Sequence, residues 1–215
     1  MDFQGLYAIS DETLTPYDIL KEQLKSAIEG GIKIFQLRDK HSSDAKLLPI
    51  VQELNALCKQ HHIAFFLNDR LELAIKAQVF GVHLGKDDAQ ITEAKKHFKG
   101  KIGISCYDSL ERAKKAQDLG ASYVAFGACF NSPSKPSAPT INLELLKNAR
   151  ESLKIPICAI GGITLPLLKT HHSLKYAHML AFISDLWGLK GLRTLDEITS
   201  HAKKLNQAFN NITRF

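Results

Sequence analysis

Residues 118–127 read DLGASYVAFG: the end of a helix-like pattern, a glycine, then a run rich in β-branched and aromatic residues. The same succession stands at 27–37 (AIEGGIKIFQL), 77–85 (AQVFGVHLG) and 97–105 (HFKGKIGIS). A glycine is expected there because it takes the left-handed helix cap without a Cβ clash. Working outward, short apolar runs occur at 6–10, 33–38, 64–68, 81–84, 101–106, 123–130, 156–161 and 176–184. Between them lie segments of helical period. In SSDAKLLPIVQELNALCKQHH (42–62), Leu47, Ile50, Val51, Leu54 and Leu57 share one face, with Pro49 either after the first turn or marking a slightly later start. After Asp108, an expected N-cap, Leu110, Ala113 and Ala116 face inward. Strand and helix in strict alternation mean parallel strands joined by crossover helices. No G-x-G-x-x-G turn follows the first strand, which weakens an open dinucleotide-binding sheet. The expected fold is α/β, a single (β/α)8 TIM barrel spanning residues 1–215, compact but sufficient in length.

The chain is 45% hydrophobic and 23% charged, ordinary for a globular domain with a substantial core. Its formal net charge of +6 is scattered over helical segments such as Lys95-Lys96, Lys114-Lys115 and Lys203-Lys204. Solvated surface explains that, and a preference for anionic ligands is the sharper alternative. No basic tract interleaves with aromatics, so nucleic acid is not an expected partner. Cys58, Cys106, Cys129 and Cys158 form no C-x-x-C pair and read as reduced, buried thiols of a cytoplasmic protein. MDFQGLYAIS lacks the marks of a signal peptide, and no apolar stretch approaches a membrane span.

In a barrel of this kind, ligands sit at the C-terminal ends of the strands. The residues closing the expected strands are Ser10; Gln36, Arg38 and Lys40; Asn68 and Asp69; His83 followed by Asp87 and Asp88; Ser105; the loop NSPSK (131–135); Gly161 and Gly162; and Ser184. Asp69 and Asp88 end adjacent strands. Each alone reads as a helix N-cap. Together they could hold Mg²⁺, which is bound by few protein carboxylates with water and substrate phosphate completing the shell. They could also form a general acid/base pair. Arg38, Lys40 and Lys135 nearby suit an anionic substrate better. Gln36, Arg38 and Lys40 alternate, so one side of a strand end carries an amide, a guanidinium and an ammonium; a charged strand end leaving the sheet is the plainer alternative. Ser132, Pro133, Ser134 and Lys135 read either as a polar turn or as a phosphate-facing loop. Gly161-Gly162 would let backbone N–H groups approach a phosphate, with Ser184 in the same pocket. His83, inside an apolar run, reads as a structural histidine.

Taken together, QLRDK, NDR, GVHLGKDD, GIS, NSPSKP, AIGGI and FIS stand in an order and spacing that resemble the thiamine-phosphate synthases, from Leu6 to Ser184 and into the last helix. The resemblance implies a Mg²⁺-dependent transferase. It would join a pyrimidine diphosphate to a thiazole phosphate through loss of pyrophosphate, a pyrimidine-stabilised carbocation and attack by the thiazole nitrogen. It implies that Gln36, Leu37, Arg38, Asp39, Lys40, Asn68, Ser105 and Lys135 hold the pyrimidine diphosphate, with Arg38, Lys40 and Lys135 stabilising the leaving group. It places Ser132, Pro133, Ser134, Gly162, Ile183 and Ser184 on the thiazole phosphate, and Asp69 and Asp88 on the metal. The partners would be phosphorylated small molecules, and self-association is left open. The chain departs from the family pattern in carrying Ser132 and Ser134 for Thr, Lys86 for Gln, Ser137 for an acid, and SLKYAH (173–178) for AGADG. The last change is expected near the phosphate pocket. A related thiazole tautomerase, or a non-catalytic binder of thiamine intermediates, are the alternatives.

Overall fold

The computed structural model describes residues 3–85, 88–131, 139–188 and 191–213, and only the backbone of 88–90. Eight parallel strands close into a barrel in chain order: β1 (Gly5–Ile9), β2 (Ile34–Leu37), β3 (Ala64–Asn68), β4 (Gly81–Leu84), β5 (Lys101–Tyr107), β6 (Tyr123–Phe126), β7 (Ile157–Ile160) and β8 (Met179–Phe182). The helices between them are α1 (Tyr17–Glu29), α2 (Asp44–Gln60), α3 (Leu71–Ala77), α4 (Asp88–His97), α5 (Leu110–Asp118), α6 (Glu144–Ser152) and α7 (Leu165–Thr170). After β8 come α8 (Ser184–Trp187) and α9 (Leu195–Thr213). Pairing of β1 with β8, Ala8 opposite Phe182, closes the ring. The fold is the expected (β/α)8 barrel. Among the described residues no helix is long and apolar enough to cross a membrane.

Strand alternation divides the core in two. Leu6, Ala8, Phe35, Leu37, Phe65, Leu67, Val82 and Leu84 pack outward against the helices. Tyr7, Ile9, Ile34, Ala64, Phe66, Tyr123, Ala125, Cys158, Met179 and Ala181 fill the barrel. Glycines at 81 and 103 make room for the large rings inside. A Cβ on Gly81 would overlap the Phe66 ring, and one on Gly103 would overlap the Tyr123 ring. The glycines of the repeat therefore do different work from one copy to the next. Gly31 and Gly120 take the expected left-handed conformation, with φ of 98° and 87°. Gly81 instead opens β4 as a space-maker.

Several local expectations shift. Ser43 caps α2, accepting from Lys46 N–H, and Pro49 sits inside that helix after its first turn. The N-cap of α5 is Ser109, whose hydroxyl accepts from Arg112 N–H at 3.1 Å, not Asp108. β6 stops at Phe126, short of the apolar run that reaches 130. Residues beyond it cross to the next strand, where Cys129 N–H donates to Ile160 O and Phe130 N–H to Gly161 O, both at 2.9 Å. The run at 176–184 yields a strand only from Met179, because residues 172–176 form a 3-10 turn that buries Leu174. All four cysteines are free and buried.

Candidate active site

A chain of buried polar groups crosses the barrel beneath its C-terminal mouth. Gln36 Nε2 donates to Tyr7 Oη at 2.6 Å, and Tyr7 Oη lies 2.9 Å from Tyr123 Oη. Tyr123 Oη meets His83 Nδ1 at 2.7 Å, and His83 Nε2 meets Ser105 Oγ at 2.9 Å. Five strands thus contribute one connected network, which partners both tyrosine hydroxyls and both His83 nitrogens, as buried polar groups require. Burial lowers the His83 pKa to about 4, so the ring is neutral at pH 7. The reading of His83 as a structural histidine agrees with its two satisfied nitrogens. Tyr7 and Tyr123 were not anticipated as part of the site. The available signal was a tyrosine at an inward register position, whose hydroxyl needs a partner when buried.

The QLRDK segment turns out of β2 into a built loop. Gln36 points inward, whereas Leu37 faces the helices, leaving its backbone to the rim. Arg38 is half-buried. Its N–H donates to Ser10 Oγ at 2.8 Å, and its guanidinium pairs with no acid among the described residues. Lys40 is exposed, and its N–H donates to Glu12 at 3.0 Å. The Asp39 carboxylate is committed to the loop itself. It accepts from Tyr17 Oη and from the N–H groups of His41 and Ser42, both at 2.7 Å. Burial would raise its pKa, but these hydrogen bonds outweigh burial and hold it well below the usual carboxylate range. Arg70, unmarked in the sequence reading, clamps the same loop through Asp39 O, Ser42 O and the Asp44 carboxylate.

Asp69 lies one residue beyond β3. Its N–H donates to His83 O at 2.9 Å, and its φ of 61° is in the left-handed region. The alternative that it caps the next helix fails: Arg70 occupies that cap position, with no side-chain cap bond. The Asp69 carboxylate is exposed, takes one hydrogen bond from Asn68 Nδ2 at 2.7 Å, and pairs with no lysine or arginine among the described residues. A strained, unneutralised carboxylate at a strand end fits a hard cation. Asp88 opens α4 by its backbone, on the adjacent βα connection. Its side chain, and Lys86 and Asp87, lie outside the described residues. No cluster of three or more His, Cys, Asp or Glu occurs among the described residues.

Across the barrel, Gly161 and Gly162 are left-handed, with φ of 102° and 62°. A Cβ on Gly162 would overlap the carbonyls of Phe130 and Asn131, so only glycine fits. The N–H groups of Gly161, Gly162 and Ser184 donate to nothing among the described residues. Ile183 and Ser184 are half-buried at the start of α8. Trp187 Nε1 anchors that helix to Ile9 O at 2.7 Å. Ser132, Pro133, Ser134, Lys135 and Ser137 lie outside the described residues. The expectation that SLKYAH lies near this pocket is corrected. Residues 173–178 lead into the N-terminal end of β8, whereas Ile183 and Ser184 follow its C-terminal end. There His178 Nδ1 accepts from Ile157 N–H at 3.0 Å.

The family model described as thiamine monophosphate synthase matches residues 6–186. A thiamine-phosphate synthase of Wolinella succinogenes is 50% identical over 190 residues, covering 87% of each chain. One of Marinobacter nauticus is 37% identical over 211 residues, covering 95% of this chain and 90% of the relative. The solved thiamine phosphate pyrophosphorylase of Pyrococcus furiosus superposes with a TM-score of 0.83 at 30% identity, covering 98% of this chain and 97% of that one. With the barrel, the rim groups and these likenesses in agreement, the chain belongs to the thiamine monophosphate synthase family.

Proposed function

We propose that this protein joins 4-amino-2-methyl-5-(diphosphooxymethyl)pyrimidine to 4-methyl-5-(2-phosphooxyethyl)thiazole, giving thiamine phosphate and pyrophosphate. The observation that carries the reading is the division of one barrel mouth into two sides. Arg38, Lys40 and the open Asp69 carboxylate stand at β2 and β3. The N–H groups of Gly161, Gly162 and Ser184, which donate to nothing among the described residues, stand at β7 and β8. Such a mouth suits a metal-bound diphosphate facing a phosphomonoester.

Asp69 and Asp88 would hold Mg²⁺, which when bound would neutralise charge on the diphosphate. The chain's own groups then account for the remaining demands. Arg38 and Lys40, with Lys135, meet the charge that builds on pyrophosphate as the CH₂–O bond breaks. Gln36, Asn68 and Ser105 contact the pyrimidine side. His83, held neutral by burial, places no positive charge beside the pyrimidinylmethyl cation. Gly162, Ile183 and Ser184, with Ser132, Pro133 and Ser134, hold the thiazole phosphate so that its ring nitrogen attacks the cation and forms the C–N bond. No protein nucleophile is needed; alignment and charge stabilisation suffice.

Purified protein with both substrates and Mg²⁺ should yield thiamine phosphate and pyrophosphate in equal amounts, and EDTA should abolish both. Absence of product with metal present would sink this reading. Isomerisation of a thiazole precursor alone would favour the tautomerase.

A further inference from the structure

Asp185 is 4% exposed and sits one residue past Ser184. Its Oδ2 accepts from Leu165 N–H, the first residue of α7, at 3.2 Å, and lies 2.8 Å from His201 Nε2 on α9. Its carbonyl accepts from Arg193 Nη2 at 3.2 Å. Leu165 is three residues past Gly162. One carboxylate therefore ties the turn after β7 to the turn after β8, and the last helix supplies the group that holds the carboxylate in place. The side chain of His201 is 14% exposed, so this pair is not a surface ornament. Buried charge of this kind is costly unless hydrogen-bonded and positioned. Packing of α8 alone does not require it, since Trp187 already anchors that helix to β1.

We propose that Asp185 and His201 are positioning residues that lock the two backbone halves of the phosphate cradle, Gly161–Gly162 and Ile183–Ser184, into one register, and so set affinity for the phosphomonoester substrate. The inference rests on the phosphate site of the proposed function. Neither side chain need touch the ligand. Two short turns carried on different strands drift independently unless something couples them, and N–H groups aimed at a phosphate lose affinity steeply with misplacement. His201 holds Asp185 in the rotamer that reaches Leu165.

The test is binding of inorganic phosphate and of the thiazole phosphomonoester, followed by calorimetry and by ¹⁵N shifts of Gly162 and Ser184. Parallel titrations use the pyrimidine diphosphate. Asp185→Ala and His201→Ala should weaken phosphomonoester binding by roughly tenfold, the loss of one charged hydrogen bond. Affinity for the diphosphate should stay within about twofold. His201→Gln, which keeps a donor, should restore most of the affinity. Unchanged phosphomonoester binding in both alanine variants overturns the proposal. So does equal weakening of both ligands, or a wild type whose Gly162 and Ser184 amides ignore phosphate. Product formation by the wild type is scored separately: binding at these amides without product would overturn the enzyme reading and leave the positioning pair standing.

Discussion

Replacing Asp69 by glycine separates a metal ligand from a structural cap. Asp69 holds φ at 61°, a conformation that costs an ordinary L-residue about 1–2 kcal/mol and glycine almost nothing. Against that relief, glycine adds about 0.5–1 kcal/mol of unfolded-state entropy. The exposed hydrogen bond from Asn68 is also lost, about 0.5 kcal/mol. The balance leaves Asp69→Gly between about 0.5 kcal/mol less and about 1 kcal/mol more stable than the parent. At this chain length that moves the melting temperature by roughly −2 to +4 °C. Glycine in place of an N-cap would cost only a few tenths of a kcal/mol and leave the rate intact, and no cap bond exists here. Turnover, in contrast, should fall by orders of magnitude, because the removed carboxylate would hold the metal and pairs with no lysine or arginine among the described residues. The assay pairs urea unfolding with initial rates at several Mg²⁺ concentrations. A variant that keeps its rate at every Mg²⁺ concentration, whatever its stability, would refute the argument.

Two further outcomes follow from the interior network. Tyr123→Phe strands His83 Nδ1 while Tyr7 keeps Gln36, so about 1–3 kcal/mol should be lost, read as a lower urea midpoint with unchanged slope. A shift below about 0.5 kcal/mol would mean that the network is not held as described. Stability should also fall as pH drops from 6.5 toward 4. His83 takes its proton at about 4 when folded but near 6.5 when unfolded, so the unfolded chain binds more protons across that window. For a fully buried ring this contribution is of order 3 kcal/mol above pH 6.5. Half-buried His178, lowered by burial and by Arg150, acts in the same direction. An NMR titration showing His83 ionising near 6.5 would contradict this.

The order of strands and helices was legible in the residues themselves, because the two periodicities alternate along the chain and parallel strands leave few topologies. The rim was legible too, since polar and glycine residues close apolar runs, as Arg38, Asp69 and Gly162 do. Local rules misled where three dimensions intervene. Gly81 looks like a helix cap, yet it is there because Phe66 needs its space. Asp69 looks like a cap, yet the strand ladder holds it in a left-handed turn one residue early.

Composition, period and motif order are properties of the chain read locally, and they determined the fold class, the end of the barrel that carries the chemistry and the family. Only the tertiary structure decided which groups meet. Tyr7 and Tyr123 are 116 residues apart and share a hydrogen bond solely because the barrel closes. Asp185 reaches Leu165 and His201 because β7, β8 and the last helix converge. Asp39 serves its loop rather than the open mouth because Tyr17 and its own backbone N–H groups surround it. Partners of that kind are fixed by the register of strands around the ring, and no window of sequence contains it.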